Sequence, residues 1–339
     1  MRRRAIAFAL LSAALFGAST PLAKLLLGTT SPLLLAGLLY LGAGVGLLIW
    51  LRGRLKPIAR GDVPWLIAAV AAGGIAGPAL LMFGLASTDG ATASLLLNLE
   101  AVFTALIAWI AFRENVDSRV FLGMVAIIAG GALLSFEGKP TFDIGIALIA
   151  GACLAWAVDN NLTRRISAAD AATLACIKGL AAGSANLTFA MFQGASLPVP
   201  GVVVAAGVVG LFGYGISLAL FIAALRDLGT ARTAAYFSVA PFFGAALALL
   251  VLGEAAGWAF WAAALLMAFG VWLHLSERHG HSHVHDPVAH EHEHVHDEHH
   301  RHEHAFAWDG KEPHRHPHQH EALAHTHPHH PDLHHRHRH

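Results

Sequence analysis

The chain has 339 residues, of which 55% are hydrophobic and 13% charged, with a formal net charge of zero and a mean hydropathy of +0.55. A soluble protein of this length needs far more polar surface, so the composition argues against a soluble globular class and indicates a membrane protein. The apolar runs are continuous and do not alternate with polar residues, which excludes a transmembrane β-barrel.

Ten apolar runs follow one another along the first 276 residues. Each is about as long as a helix needs to cross the ~30 Å hydrocarbon core of a bilayer. The first run follows three arginines and resembles a signal peptide, but a corresponding run later in the chain indicates that it is retained. The predicted spans lie near residues 5–27, 31–51, 64–86, 91–112, 118–136, 143–163, 170–192, 201–225, 230–252 and 256–275.

Shifting the sequence by 140 residues aligns it with itself without a gap. Aromatic and charged residues are scarce in this chain, so their matches are informative. We therefore predict two homologous halves, residues 1–136 and 141–276, with five spans each, and such repeats in a membrane are typical of transporters. The matches are Phe16 with Trp156, Lys24 with Arg164, Gly73 with Gly213, Phe103 with Phe243, Glu114 with Glu254 and Gly130 with Gly270.

The Lys and Arg residues of the short loops are concentrated on one side of the predicted membrane. With the N terminus inside, residues 2–4, Arg52, Arg113 and Arg226 face the cytoplasm, whereas the outside loops hold only Lys139. This bias predicts a multi-pass protein of the inner membrane with both termini in the cytoplasm. Because each half has an odd number of spans, the halves must be inverted relative to each other, an arrangement that supports alternating access.

Several motifs along the spans are characteristic together: Phe16-Gly17-Ala18-Ser19-Thr20-Pro21 with Lys24, then Phe103, Arg113-Glu114, Trp156, Pro241-Phe242-Phe243 and Gly253-Glu254. Over about residues 5–276 they resemble the EamA-like branch of the drug/metabolite transporter (DMT) superfamily. The resemblance implies an all-α integral membrane fold of ten transmembrane helices in two inverted five-helix repeats. It also implies a central cavity lined by the first four helices of each repeat. The substrate stays open, because the family moves amino acids, sugar phosphates, drugs and other metabolites.

Glu100 is the most informative single residue, since it lies about ten residues into the fourth span and close to the bilayer midplane. The family usually has an apolar residue or proline there. A bare charge at this depth costs several kcal/mol or recruits a partner. Glu100 is therefore either an acid that holds two helices together or a substrate or proton site facing the cavity. Lys178, at a similar depth in the seventh span, is its expected partner, although such a pair could be purely structural.

Other polar and aromatic residues of the spans are weaker candidates. Asp159, Asn160 and Asn161 either line the cytoplasmic mouth of the cavity or make hydrogen bonds between helices. Asn98 faces a different side of its helix from Glu100, and the two aromatic candidates are either cavity or packing residues. The predicted substrate or coupling residues are Glu100, Lys178, Asp159, Asn160, Asn98, Trp156 and Phe16.

No catalytic arrangement is found in the sequence, which has no HExxH motif, no glycine-rich phosphate loop beside a lysine and serine, and no nucleophile paired with a base. We therefore predict that the protein is not an enzyme and requires no cofactor. Cys153 and Cys176 lie inside spans and are expected to be reduced packing residues. Glu114 and Glu254, at the ends of spans four and nine, are expected to anchor loops.

The C-terminal tail, residues 279–339, contains 24 of the 25 histidines. It has few apolar residues and is expected to be disordered and cytoplasmic. Imidazoles in His-x-His spacing favour zinc, nickel, cobalt or copper. The tail is interpreted as a metal buffer or incidental extension, as a sensor or loading arm for a transported metal, or as a pH-responsive segment. The predicted ligands are His281, His283, His285, His292, His294, His296, His299, His300, His302 and His304.

The sequence therefore predicts a secondary transporter, with export of a small metabolite favoured and the tail binding metals as a buffer or sensor. The alternative is a transporter of a transition metal ion or metal complex that the tail loads. Bare metal is disfavoured, because Glu100 and Asp159 offer too few ligands at one depth. The expected partners are the lipid bilayer, a small-molecule substrate and transition metal ions, but no nucleic acid, and a homodimer stays open.

Overall fold

A computed structural model of the chain describes residues 2–112, 118–135, 143–166, 169–228, 233 and 236–276, together with four short segments of the tail. The chain divides into two compact units, Met1–Glu277 and Arg278–His339. The described residues of the first unit form helices and short connections, which agrees with the predicted helical class.

Nine helices of the described residues are long and apolar enough to cross a membrane. The ninth predicted span, 230–252, stays a prediction: its described residues include a shorter apolar helix of 12 residues, Ala240–Val251, and several residues before Ala240 lie outside the described residues. Numbered in chain order, the nine long helices and the shorter helix α9 are α1 (Arg2–Leu27); α2 (Pro32–Trp50); α3 (Val63–Ala69, Val70–Ala76 and Gly77–Ser87); α4 (Gly90–Leu96 and Leu99–Phe112); α5 (Ser118–Ser135); α6 (Ile144–Arg165); α7 (Ala171–Phe192); α8 (Pro200–Gly210, Leu211–Ile216 and Ser217–Leu228); α9 (Ala240–Val251); and α10 (Trp258–Leu275).

Helix α7 illustrates how local sequence sets the helix ends. The Asp170 carboxylate accepts the Thr173 backbone N–H at 3.0 Å, which supplies a partner for one of the free N–H groups of the first turn. At the other end Gly194 takes a φ of +82°, a conformation that glycine adopts without the cost of a Cβ. The Ala195 N–H then bonds to the Ala190 carbonyl at 3.0 Å, so the chain leaves the helix axis there.

Equivalent helices of the two halves pack as antiparallel pairs, as α2 and α7 show. Gly44 lies against Leu180, whereas Gly37 lies against Leu187, so the numbering rises along one helix as it falls along the other. A Cβ on Gly37 would lie 2.7 Å from the Leu187 backbone nitrogen. The absence of side chains at these positions is what lets the two backbones approach so closely.

Helices α5 and α10 form a second antiparallel pair with reciprocal glycine contacts. A Cβ on Gly123 would lie 2.8 Å from the Gly270 carbonyl oxygen, and a Cβ on Gly270 would lie 2.6 Å from the Gly123 carbonyl oxygen. Similarly, a Cβ on Gly130 would lie 3.1 Å from the Ala263 carbonyl oxygen. The shift of 140 residues maps Gly130 onto Gly270 and Gly123 onto Ala263, so the two contacts are equivalent.

The two halves also interlock through their other helices. Helix α1 packs on α8 and α9 of the second half, and α6 packs on α3 and α4 of the first half. The shift of 140 residues exchanges α1 with α6, α8 with α3 and α9 with α4, so the same contacts are made twice. One apolar core accordingly draws buried residues from both halves. Polar side chains enclosed at this interface are therefore held by both halves.

Helices α3 and α8 carry π-helical segments at equivalent positions, Val70–Ala76 and Leu211–Ile216. A π segment widens the helix and leaves some carbonyls without their usual i+4 partners. In α3 the segment is followed by Pro78, which has no N–H to donate back to Gly74. The carbonyls of this stretch are thus free to accept hydrogen bonds from other helices.

Helix α4 is broken in the middle of the span, at Leu97 and Asn98. The Asn98 side-chain nitrogen donates to the Leu95 carbonyl at 2.9 Å and so satisfies the end of the first segment. Glu100 consequently occupies the first turn of the second segment. The partial positive charge at a helix N terminus favours a carboxylate at that position.

The second unit contains two antiparallel pairs of strands within the histidine-rich tail. The predicted disorder of the tail as a whole stays a prediction, because most of its residues lie outside the described residues. Alternating His-x-His has the period of a strand, and a ladder satisfies backbone groups without an apolar core. His292 is opposite His316 and His283 is opposite His325, whereas His296, His299, His300, His302 and His304 lie outside the described residues. The strands are β1 (Gly280–His285) with β4 (Leu323–Pro328) and β2 (Ala289–His294) with β3 (His314–Gln319).

Candidate transport site

An ion pair joins α6 and α7 inside the membrane-spanning unit. The Lys178 Nζ atom lies 2.6 Å from each oxygen of the Asp159 carboxylate. The Thr163 hydroxyl donates to Asp159 Oδ1 at 2.8 Å. Asp159 is only 7% exposed. Enclosing each ion costs several kcal/mol, and good geometry with an oppositely charged partner is what offsets the cost.

The prediction that Lys178 pairs with Glu100 is wrong. Lys178 binds Asp159, whereas Glu100 Oε1 accepts a hydrogen bond from Asn160 Nδ2 at 2.8 Å. Consecutive residues of a helix point about 100° apart, so α6 directs Asp159 toward α7 and Asn160 toward α4. A similar depth in the membrane does not decide which side chains meet, because the helix face decides it.

Glu100 is half-buried, and its amide partner Asn160 is exposed. Thr104, one turn further along α4, has a buried hydroxyl that lacks a hydrogen-bond partner among the described residues. Asn98 is 4% exposed, and its side-chain nitrogen lies 3.9 Å from the sulfur of Met267 on α10. Asn98 therefore belongs to helix packing and is separated from the site that Glu100 and Asn160 form.

The π segment of α3 gathers polar side chains around Gly73. Tyr40 donates its hydroxyl to the Gly73 carbonyl at 3.1 Å, and Trp156 Nε1 donates to the same oxygen at 2.9 Å. The Asp159 carboxylate packs directly against Gly73 on the side where a Cβ would stand. Asn186 of α7 donates to the next carbonyl, that of Gly74, at 3.2 Å. Trp156 is thus a hydrogen-bonding residue at this interface as well as a packing residue.

Phe16 lies in an aromatic row and not in the polar cluster. Its ring centroid is 5.8 Å from that of Tyr214 and 5.4 Å from that of Phe237. Tyr214 in turn lies 5.3 Å from Tyr40, which connects the aromatic row to the Gly73 carbonyl. Phe16 and Trp156 occupy equivalent places in the two halves but have different partners.

The charges break the symmetry of the two halves. Gly213, the equivalent of Gly73, is also in close contact with the residue of α1 that corresponds to Asp159, but that residue is Ser19. The backbone arrangement is therefore repeated, whereas the ion pair and the acidic residue occur once among the described residues. The equivalents are Asp159 and Ser19, Lys178 and Leu38, Glu100 and Ala240, and Tyr40 and Leu180.

Two further charged residues stabilise the turn between α3 and α4. Lys24 Nζ donates to the carbonyls of Leu85 at 2.6 Å and Thr88 at 2.8 Å. The two Glu254 carboxylate oxygens accept the N–H groups of Gly90 and Ala91, each at 2.7 Å. The predicted anchoring role of Glu254 is confirmed, since it caps the start of α4 from the other half. Glu114, its equivalent, lies outside the described residues.

Several residues of this cluster escaped the sequence reasoning: Tyr40, Thr104, Thr163 and Asn186. The only signal that could have found them is that each is a polar residue inside an apolar run. Cys153 and Cys176 are free and buried, as predicted. Within the described part of the chain, no three His, Cys, Asp or Glu side chains are grouped closely enough to hold a metal ion.

The fold and this polar interface are those of a multi-pass helical membrane protein, and comparison with known proteins places it among transporters and not enzymes. The chain belongs to the EamA-like transporter family, whose profile matches it twice, over residues 3–136 and 143–276.

Two relatives share most of this length. An uncharacterized transporter of Methanothermobacter thermautotrophicus is 28% identical over 263 residues, which cover 70% of this chain and 76% of the relative. An uncharacterized transporter of Archaeoglobus fulgidus is 27% identical over 245 residues, covering 68% and 82%. A crystal structure of a protein 20% identical in sequence superposes with a TM-score of 0.60 over 81% of this chain and 98% of the other, which supports the fold.

Proposed function

We propose that the protein is a secondary transporter that exports a small metabolite by alternating access between two inverted five-helix repeats. The antiparallel pairing of α2 with α7 and of α5 with α10 supports the inversion. The contacts made twice by exchanged helices support a pseudo-two-fold relation between the halves. In such an arrangement, the site lies where the halves meet.

One observation carries the proposal: the polar cluster is built jointly by the two halves. The first half supplies Glu100 and the Gly73 carbonyl, and the second half supplies Asn160, Trp156 and Asp159. Any movement of one half against the other must alter these contacts. Intramembrane ionisable residues are costly, so their concentration at this interface favours a functional role.

We assign different roles to the two carboxylates. Asp159 is already neutralised by Lys178 and organises the junction of α3, α6 and α7. Glu100 has a neutral amide as its partner and is the residue through which substrate or proton binding acts. Asn160 orients the Glu100 carboxylate, and the Tyr40 and Trp156 hydrogen bonds hold the π segment against α2 and α6, respectively.

The direction of insertion follows from the loop charges, which place both termini on the cytoplasmic side of the inner membrane. The turn between α3 and α4, held by Lys24 and Glu254, then faces the outside. These contacts tie the turn to α1 and to the second half.

The tail is proposed to bind zinc, nickel, cobalt or copper as a buffer or sensor. The repeated His-x-His spacing of the tail favours this, because imidazole is a preferred ligand of these metals. Transport of the metal itself is the less favoured alternative. Glu100 and Asp159 bind an amide and an ammonium group, and neither is grouped with further metal ligands among the described side chains.

A sensitivity screen tests the proposed function. Strains that lack the protein, express the full chain, or express residues 1–278 are compared for growth on toxic metabolites, drugs and metal salts. An exporter predicts that the full chain and the truncated chain both raise tolerance to the same organic compounds. Tolerance that changes only for metals, and only with the tail present, would contradict organic export.

A further inference from the structure

We infer that the transported compound carries a positive charge and that Glu100 binds it in exchange for a proton. This inference rests on the proposed transport function and specifies the substrate class. Among the described residues, the acidic and basic side chains that meet at this interface are Glu100, Asp159 and Lys178.

The first step is the charge balance. Lys178 contacts both oxygens of Asp159 at 2.6 Å, so these two charges cancel within a closed pair. Glu100 receives one hydrogen bond, from the neutral amide of Asn160. Among the described residues no cationic side chain forms an ion pair with Glu100. An ionised Glu100 therefore leaves one uncompensated negative charge within the span, a state that is costly in a low-dielectric environment.

The second step is the hydrogen-bond geometry. Asn160 donates to Oε1, whereas Oε2 accepts no hydrogen bond from the described residues. An ionised carboxylate only accepts hydrogen bonds, so the group that completes the site must be a donor. Thr104, on the same face of α4 one turn later, offers a hydroxyl without a partner. A protonated amine or a guanidinium group satisfies both requirements, since it is a cation with several N–H donors.

The third step is the surroundings of the site. Helix α6 contributes Asn160 on one side, and Cys153 of α6 contacts the Leu96 carbonyl just before the break in α4. Among the described residues, the titratable groups near this region are Cys153 and Asp159 of α6, Tyr40 of α2 and Lys178 of α7, of which Lys178 is held by Asp159. None of these described groups supplies Glu100 with a positive charge. An anionic substrate would be repelled by an ionised Glu100.

The exchange balances in atoms and charge. A protonated Glu100 carboxyl is neutral and needs no charged partner. When a monocation binds, the carboxyl releases its proton to the aqueous side that is open, and the carboxylate pairs with the cation. After the halves reorient, the cation leaves and a proton from the other side returns to Glu100. Each cycle moves one cation against one proton, because a single carboxylate cannot hold both.

The test uses the full chain in proteoliposomes and matched probes of similar size and different charge. One set is tyramine, tyrosine and 4-hydroxyphenylpropionate, and a second is butylguanidine, 4-guanidinobutyrate and hexanoate, so that each set holds a monocation, a zwitterion and an anion. Each set is extended with further amine and acid analogues. Probe movement that is driven by an imposed pH gradient is measured together with the pH inside the vesicles. The expected result is movement of cations alone, with proton flow in the opposite direction.

Variants separate the charge from the fold. Glu100→Gln keeps the shape and the Asn160 contact but removes the charge, so cation movement should fall by about tenfold or more. Glu100→Asp should keep part of the activity. Asp143→Asn is the matched control, because Asp143 caps the start of α6 through Gly145 at 2.7 Å and lies outside the cluster. Size-exclusion profiles of all variants check that they fold.

Three outcomes decide the matter. Movement of cations that depends on Glu100 and is coupled to protons supports the inference. Movement of anions, zwitterions or neutral probes in preference to cations, or a fully active Glu100→Gln variant, overturns it and leaves the transport function standing. If no probe of any charge moves with the wild-type chain, the proposed transport function fails and the inference fails with it.

Discussion

Gly73 of α3 and Asp159 of α6 are in direct contact, with the carboxylate filling the place where a side chain of Gly73 would stand. The Gly73 carbonyl meanwhile accepts hydrogen bonds from Tyr40 and Trp156. One glycine therefore determines how closely the first half approaches the ionised residues of the second half. The same residue lies in a π segment, whose free carbonyls make these contacts available.

Gly73→Ala should displace the Asp159 carboxylate and loosen its pair with Lys178. We expect a loss of about 1–3 kcal/mol in stability, typical of an overpacked interior, together with reduced transport. Thermal unfolding of the detergent-solubilised protein measures the effect. Gly131→Ala is the control, because its nearest neighbours stand 3.7 Å from the added Cβ and an alanine there favours the helix. Equal melting temperatures for both variants would show that the contact is not tight.

Removing one partner of the Asp159–Lys178 pair should be worse than removing both. Asp159→Leu or Lys178→Met alone leaves a buried charge without its partner and should cost about 3–5 kcal/mol. The double variant Asp159→Leu with Lys178→Met should recover most of that loss. A double-mutant cycle on thermal stability gives the coupling between the two residues. Additive effects of the single changes would contradict the ion pair.

Asp170 provides a pH-dependent contact outside the membrane spans. The pKa of Asp170 is lowered from 3.8 to about 2, mainly by its hydrogen bond from Lys56 at 2.9 Å and secondly by the hydrogen bond from the Thr173 N–H. Because the folded-state pKa is the lower one, the contact stabilises the protein above about pH 4 and is lost as the pH falls toward about 2.

The expected contribution of this contact is at most about 1 kcal/mol, since the Lys56 side chain is 69% exposed. Asp170→Asn keeps the helix cap but should flatten this part of the stability profile between about pH 4 and pH 2. Lys56→Met should flatten it less, because the Thr173 contact remains. An unchanged acid profile in Asp170→Asn would rule out the assigned cause.

Removing residues 279–339 should leave the membrane unit folded, because that unit is compact by itself. Multi-site binding of zinc, nickel or cobalt, measured by calorimetry on the purified protein, should disappear with the tail. Movement of an organic substrate should persist. A tail that loads a transported metal would instead show reduced metal flux at low free metal and little change at saturation.

The helices were predictable from the sequence because lipid constrains every residue of a span. The predicted spans 118–136 and 170–192 correspond to Ser118–Ser135 and Ala171–Phe192. The duplication likewise identified Gly73 and Gly213 as equivalent positions, although it did not predict which residues they contact. Hydrophobicity and repetition act along the chain, where a sequence can be interpreted directly.

The partners of the charged residues were not predictable in the same way. Lys178 and Glu100 have similar depths, but Lys178 binds Asp159 because of the face that α6 turns toward α7. The role of the Gly73 carbonyl depends on the π segment, a change of hydrogen-bond register that leaves no clear mark in the sequence. The strands of the tail were not predicted, because the alternating His-x-His pattern was interpreted as metal-ligand spacing and not as strand periodicity.

Alternating access requires the Glu100–Asn160 site to be reached from the two sides of the membrane in turn. Asn160 is exposed and can be replaced by cysteine in a chain whose two buried cysteines, Cys153 and Cys176, are changed to alanine. A pair of cysteines introduced at Gly90 and Ala248 can lock α4 to α9, because a Cβ on Gly90 would lie 3.5 Å from the Ala248 Cβ.

The most direct measurement is labelling of Asn160→Cys by a membrane-impermeant maleimide in right-side-out and inverted vesicles, before and after oxidation of the 90–248 pair. Alternating access predicts labelling of residue 160, located by peptide mass spectrometry, from both sides when the pair is reduced, and from the cytoplasmic side alone when the disulfide locks the outer end. Labelling from one side only in the reduced protein, or from both sides in the locked protein, would contradict alternating access at this site.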